Sequence, residues 1–113
     1  MIITDVKAGT THLSIVEWTD SIGRPLSVSN VEATLYFYED GIYTVIEANL
    51  VPEQQPENTF RYTQNVSIPA DTEGQNLYLD YSATYDDDQT TLRQTQKLQV
   101  GSLAQPSLRA SFT

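Results

Sequence analysis

The sequence predicts an all-β protein, a sandwich of antiparallel strands with about seven members. Three observations lead to this fold class. Apolar and polar side chains alternate along several short segments, as they do along half-buried strands. Turn-forming residues separate these segments at short spacing, and no segment follows a helical period for about ten residues or more. A chain of 113 residues is long enough for one domain with a single core.

The first strand is predicted over residues 2–6, a run of β-prone side chains. The second is predicted over residues 11–19. Its apolar side chains change parity between Ile15 and Val16, which indicates either a bulge or an inner face exchanged for a second contact surface. Residues 20–25 contain aspartate, glycine and proline and therefore form a turn.

A well-patterned strand covers residues 31–38 and is expected to pack opposite the clearest strand of the chain, residues 77–85. Asp40 and Gly41 follow it, a pair that suits the mirror-image turns of β-hairpins. We therefore expect residues 42–50 to return as the second strand of a hairpin.

The remaining elements alternate between loop and strand. Residues 51–58 contain two prolines and few apolar side chains, which predicts a loop. Residues 59–68 form a strand that stops before a proline, and residues 70–76 form a turn or a single short helical turn. After strand 77–85, the last strand is marked by its apolar positions, Leu92, Leu98 and Val100.

The C-terminal segment departs from the strand pattern. We divide the chain into a β-sandwich at residues 1–100 and an extended C-terminal arm at residues 101–113. Leu103, Leu108 and Phe112 are the large apolar residues of this arm, in a background of small and polar residues. Two interpretations stay open: a frayed terminus, or an arm that docks these three side chains on a neighbouring subunit.

Composition excludes several classes of function. A formal net charge of -9 repels phosphate backbones and anionic lipids, so neither nucleic-acid nor membrane binding is expected. The chain has no cysteine, which excludes disulfides and thiolate zinc sites. The first residues lack the features of a signal peptide, and no apolar stretch is long enough to span a membrane. We expect a free-standing protein that is either cytoplasmic or delivered by assembly.

No catalytic, cofactor or metal site is predicted. His12 is the only histidine and is expected to be an ordinary rim residue, because no nucleophile motif accompanies it. The acidic run 86–88 is expected to be a solvated turn, with calcium binding as the less favoured alternative, since consecutive aspartates splay apart. Tyr36, Tyr38 and Tyr78 point away from the apolar strand faces, either as ordinary cross-strand pairs or as anchors of a protein contact.

Several turn and strand motifs occur together in this chain: Ala-Gly-Thr-Thr at 8–11, Asp-Ser-Ile-Gly-Arg-Pro at 20–25, the alternating strand at 31–37, and Asp-Thr-Glu-Gly at 71–74 before the Tyr-rich strand. Over residues 6–100, this arrangement resembles the immunoglobulin-like domain of tailed-bacteriophage structural proteins, notably the N-terminal domain of the baseplate upper protein. The chain departs from the family pattern after Gly9, where the family has an aspartate and this chain has Thr10, and in a longer loop at 52–58.

The resemblance implies an immunoglobulin-like sandwich without catalysis, in a virion that assembles in the host bacterial cytoplasm. It further implies contacts with capsid, neck, tail or baseplate subunits, and a possible homo-oligomer. The competing interpretation is a carbohydrate- or host-surface-binding module, in which the outward tyrosines stack on sugars and the 86–88 turn holds calcium.

Overall fold

Two β-sheets face each other in the computed structural model, which describes residues 2–101. They contain eight strands: β1 Ile2–Lys7, β2 Thr11–Glu17, β3 Val28–Glu39, β4 Ile42–Leu50, β5 Glu53–Gln54, β6 Arg61–Ser67, β7 Asn76–Tyr85 and β8 Thr91–Gly101. A 3₁₀ helix at Ala70–Thr72 provides the predicted short helical turn. The all-β sandwich is therefore confirmed. The eighth strand is β5, two residues inside the segment that was predicted to be a loop.

The larger sheet has the order β1-β8-β7-β3-β4, and the smaller one has the order β2-β6-β5. This is the strand order of an immunoglobulin-type sandwich, in which the strands that correspond to β2, β5 and β6 share one sheet. All neighbours are antiparallel except β1 and β8, which run parallel, a pairing that the sequence pattern does not indicate. Within residues 2–101, no helix is long and apolar enough to cross a bilayer.

The core lies between the sheets and is centred on β7 and β3. Leu77 and Leu79 of β7 are fully buried together with Leu35 of β3, as the alternation of these strands predicts. We expected these two strands to pack opposite each other, and this expectation is wrong. They are hydrogen-bonded neighbours in the same sheet, with Leu35 beside Leu79, because alternation specifies a buried face but not the strand that lies next to it.

The inward face of β2 differs from the sequence-based prediction. Ser14, Val16 and Trp18 are buried, whereas Leu13 and Ile15 are more than half exposed. The register between β2 and β6 is continuous, so neither a bulge nor a change of face occurs. The apparent change of parity arises because the inward position 14 holds a serine instead of an apolar residue.

A chain of hydrogen bonds explains why a serine occupies this core position. The Tyr81 hydroxyl donates to the Ser14 hydroxyl at 2.6 Å, and Ser14 donates to Oε1 of Gln96 at 2.7 Å. Nε2 of Gln96 then donates to the Thr4 hydroxyl at 2.9 Å. These three hydrogen bonds connect the two sheets, because they link β7, β8 and β1 of the larger sheet to β2 of the smaller one. The two strands that antibody domains connect by a disulfide are connected here by a buried hydrogen bond.

The β3–β4 hairpin forms as predicted. Glu39 pairs with Ile42, and the two residues between them have positive φ angles, 53° at Asp40 and 81° at Gly41. These angles define a type I′ turn, whose twist matches that of the flanking strands. Glycine adopts this backbone conformation without the steric conflict that a Cβ atom creates.

Gly41→Ala is therefore expected to lower the free energy of unfolding by about 1–2 kcal/mol. The matched control is Gly101→Ala, where the new Cβ would lie at an ordinary distance of 3.6 Å from the Val6 carbonyl oxygen and no positive φ is required. Urea denaturation of both variants measures the difference. Equal stability of the two variants would contradict the assignment of the turn.

Candidate binding surface

The outer face of the larger sheet has four tyrosines in contact, which we call the tyrosine row: Tyr36, Tyr38, Tyr43 and Tyr78. The Tyr36 ring stacks on Tyr78 with centroids 5.5 Å apart, and its centroid is 5.3 Å from that of Tyr43. Tyr43 lies 4.6 Å from Tyr38 by the same measure. The row therefore runs without interruption from β7 across β3 to β4.

Strand register brings these tyrosines together. Tyr36 lies directly beside Tyr78, and Tyr38 lies directly beside Tyr43. Three members were predicted as outward-facing, and the structure places all three in one cluster. Tyr43 was missed, although a two-residue turn at positions 40 and 41 necessarily places residue 43 opposite residue 38.

The tyrosine row becomes more exposed toward the hairpin. Tyr38 is 43% exposed and Tyr43 is 66% exposed, whereas Tyr36 and Tyr78 are half-buried. Burial, followed by the negative charge of Asp80, raises the pKa of the Tyr36 hydroxyl. This hydroxyl is therefore protonated at neutral pH and can donate a hydrogen bond.

Strand β4 extends this surface to the edge of the sheet. Ile42, Tyr43 and Val45 are exposed, with Val45 directly beside Tyr36. Within residues 2–101, β4 pairs with β3 on one side and with no strand on the other. An edge with apolar side chains and free backbone groups is a site where another chain can add a strand.

The aspartates of the 86–88 turn are directed to different partners. Ser27 and Ser29 each donate to the Asp86 carboxylate at 2.7 Å, and the Tyr85 hydroxyl donates to Asp87 at 2.9 Å. Asp88 accepts hydrogen bonds from the amide and hydroxyl of Thr90. No group of three potential metal ligands converges within residues 2–101. This geometry favours a turn stabilised by hydrogen bonds over the calcium alternative.

The hydrogen bond from Ser27, followed by the one from Ser29, lowers the pKa of Asp86 from its ordinary value of 3.8. A carboxyl whose pKa is lower in the folded state stabilises the fold above the unfolded pKa, and this contribution is lost as the pH falls through the folded pKa. Asp86→Asn is therefore expected to reduce the melting temperature at neutral pH, and the difference from the parent chain should shrink at about pH 2.5.

Thermal unfolding at both pH values measures this effect. Asp5→Asn serves as the control, because it removes the same charge from an exposed position on β1. A deficit for Asp86→Asn that stays constant down to about pH 2.5 would show that the carboxylate charge is not the cause.

His12 lies on the inward-facing side of β2 and is partly buried, and burial lowers its pKa. Within residues 2–101, Nε2 of His12 forms no hydrogen bond, and Ser14 on the same strand is already bonded to Tyr81 and Gln96. The two residues therefore do not form the hydrogen-bonded pair that a serine nucleophile needs.

Leu103, Leu108 and Phe112 lie outside the described residues 2–101, so the docking of the predicted arm stays a prediction. The larger sheet continues to Gly101, one residue beyond the predicted boundary of the sandwich. No family model and no curated protein matches this sequence. The features of this chain that bear on function are therefore the tyrosine row, the β4 edge and the resemblance of the sequence motifs.

Proposed function

We propose that this chain is a non-enzymatic structural protein of bacteriophage virions, an immunoglobulin-like module that decorates the capsid or joins the neck, tail or baseplate. In this proposal it assembles in the host bacterial cytoplasm and is held in the particle by other virion proteins. The observation that carries the proposal is the tyrosine row beside the β4 edge, which pairs with no further strand among the described residues and is suited to protein contact.

Tyrosine supports protein contact for a physical reason. Its ring removes a large apolar area from water, while its hydroxyl pairs with polar groups of the partner, and few rotatable bonds have to be fixed on binding. Tyrosine is accordingly enriched among the residues that dominate binding energy in interfaces. Four tyrosines in contact on one face supply a continuous anchor of this kind.

The motifs behind the resemblance add support at the level of architecture. In the Asp-Ser-Ile-Gly-Arg-Pro turn, the Asp20 carboxylate accepts hydrogen bonds from the backbone amides of Ile22 and Arg24, while Gly23 has a φ of 86°. These residues fold the connection between β2 and β3. The motif is thus explained by turn chemistry, and the virion role depends on the contact surface.

Co-sedimentation with purified particles of the phage that encodes the chain tests the proposal. We expect the full chain to sediment with the particles in a saturable amount. A full-chain variant with Leu103, Leu108 and Phe112 replaced by serine tests whether the predicted arm is the anchor. The proposal would be overturned if added chain does not sediment with the particles and mass spectrometry does not detect the chain in purified virions.

The exposed aromatic row also favours a second candidate, a carbohydrate- or host-surface-binding module. Aromatic faces on one side of a β-sheet can stack on sugar rings, and the tyrosine row provides such faces. Binding to host cell-surface glycans by a chain that is absent from particles would favour this candidate.

A further inference from the structure

We infer that the outer edge of β4, with which no strand of residues 2–101 pairs, binds an extended, basic segment of a partner protein, which adds to the sheet as a further strand. The inference rests on the proposed function in one respect, that the chain binds another protein. It goes beyond that function because it names the chemistry of the segment and the backbone atoms that hold it.

The hairpin register determines which backbone groups of β4 face away from β3. The first four residues of β4 pair with β3 in continuous register, from Glu39 opposite Ile42 to Tyr36 opposite Val45. In a hairpin with a two-residue turn, the pair next to the turn is hydrogen-bonded and the following pair is not. The N–H and C=O groups of Tyr43 and Val45 therefore point away from β3 toward the free edge. They can bond an incoming strand without disturbing the hairpin.

Large apolar side chains are exposed at the β4 edge. Ile42 is 66% exposed, as is Tyr43, and Val45 is 58% exposed. In this continuous register the edge therefore presents apolar side chains on both faces of the sheet. A neighbouring strand would cover them, which supplies a favourable burial term besides the backbone hydrogen bonds.

The β3–β4 hairpin is negatively charged. Between Pro25 and Arg61 the sequence has no lysine or arginine but six carboxylates, Glu32, Glu39, Asp40, Glu47, Glu53 and Glu57. Four of them lie in the β3–β4 hairpin and are exposed, Glu32 in the first half of β3 and Glu39, Asp40 and Glu47 around the turn and along β4. The salt bridges within residues 2–101 join other carboxylates, those of Asp20, Glu17 and Asp80. The hairpin therefore attracts a cationic segment.

The tyrosine rings reinforce this preference. A lysine or arginine in the added strand, next to Tyr43, can lay its aliphatic stem on the ring and its charged group near a carboxylate. A second copy of this chain is a poor occupant, since pairing two β4 edges brings Glu39, Asp40 and Glu47 of both copies together. Like charges on neighbouring strands are destabilising, and the net charge of -9 adds to the repulsion.

The experiment titrates the ¹⁵N-labelled full chain with an acetylated, amidated heptapeptide in which lysine and valine alternate. We expect chemical-shift changes centred on β4 and slower hydrogen exchange at the amides of Tyr43 and Val45. The amides of Ile42 and Thr44 already bond to β3 and should change less. Binding should weaken as salt is added.

Two control peptides separate backbone pairing from charge attraction. In the first control peptide, every second backbone nitrogen, on the edge that faces β4, is N-methylated. This removes the N–H donors but keeps the charge, so the slowed exchange at Tyr43 and Val45 should disappear. Replacement of lysine by glutamate should abolish binding. Peptide binding that is insensitive to N-methylation, or no binding at millimolar peptide, would overturn the inference.

Variants of the chain complete the test. A triple variant, Glu39→Gln, Asp40→Asn and Glu47→Gln, is expected to bind the peptide roughly tenfold more weakly. The matched control removes the same charge from sites away from the hairpin through Asp5→Asn on β1, Glu17→Gln on β2 and Asp87→Asn in the 86–88 turn, and should bind nearly as well as the parent. Equal weakening in both variants would show that net charge, and not the hairpin, determines binding.

Val45→Pro removes an outward N–H group without removing a hydrogen bond to β3, so it should block the peptide while the amide spectrum of the core is retained. Slowed exchange at Tyr43 and Val45 that depends on protein concentration without peptide would identify a second copy as the occupant and overturn the inference. Particle binding does not enter this assay, so its outcome is independent of the virion proposal.

Discussion

Leu79→Ala is expected to lower the free energy of unfolding by about 2–5 kcal/mol, whereas Leu13→Ala should change it by about 1 kcal/mol or less. The two variants remove the same atoms. Leu79 is fully buried between the sheets, and its truncation leaves a cavity, whereas Leu13 is 54% exposed on the outer face of β2. The comparison therefore isolates burial from residue type.

Urea denaturation followed by the fluorescence of the single tryptophan measures both variants. Trp18 is 2% exposed in the folded chain, so its emission should report the loss of the core. The dependence of the free energy on urea should stay unchanged if both variants unfold from the same compact state. A loss at Leu13 as large as that at Leu79 would show that the face assigned to β2 is wrong.

Tyr43→Ala is expected to weaken binding to particles by about 30-fold or more, without loss of the fold. Tyr43 contacts both Tyr36 and Tyr38 and is the most exposed of the four rings of the tyrosine row. A partner can therefore reach its ring without moving other parts of the protein. Its removal separates the hairpin end of the tyrosine row from the sheet centre. Quantitative co-sedimentation measures the change.

Tyr85→Ala is the matched control for this prediction. Tyr85 ends β7 far from the hairpin, and its hydroxyl donates to Asp87 in the 86–88 turn. The control should retain binding within a few-fold, while its melting temperature reports any cost of the lost hydrogen bond. Similar losses in both variants would indicate that general destabilisation, and not the tyrosine row, weakens binding.

Local sequence rules predicted those parts of the site that depend on neighbouring residues. The Asp40–Gly41 turn, the alternation over residues 77–85 and the outward direction of Tyr36, Tyr38 and Tyr78 all follow from backbone conformations and from the two-residue period of a strand. Tyr43 was within reach of the same rules, since the hairpin length determines its partner.

By itself, the sequence determined that this protein is β-rich, that its clearest strands have one apolar and one mostly polar face, and where its main turns occur. These properties depend on local periodicity and turn chemistry. Only the tertiary structure decided that Ser14 is buried while Leu13 is exposed, that β3 lies beside β7, and that four tyrosines meet next to the edge strand β4. Periodicity separates two faces of a strand but does not say which neighbour lies beside it. Contacts between distant segments make that choice, such as the pairing of Leu35 with Leu79. The hydrogen bond from Tyr81 to Ser14 likewise places a serine in the core, which the sequence pattern does not predict.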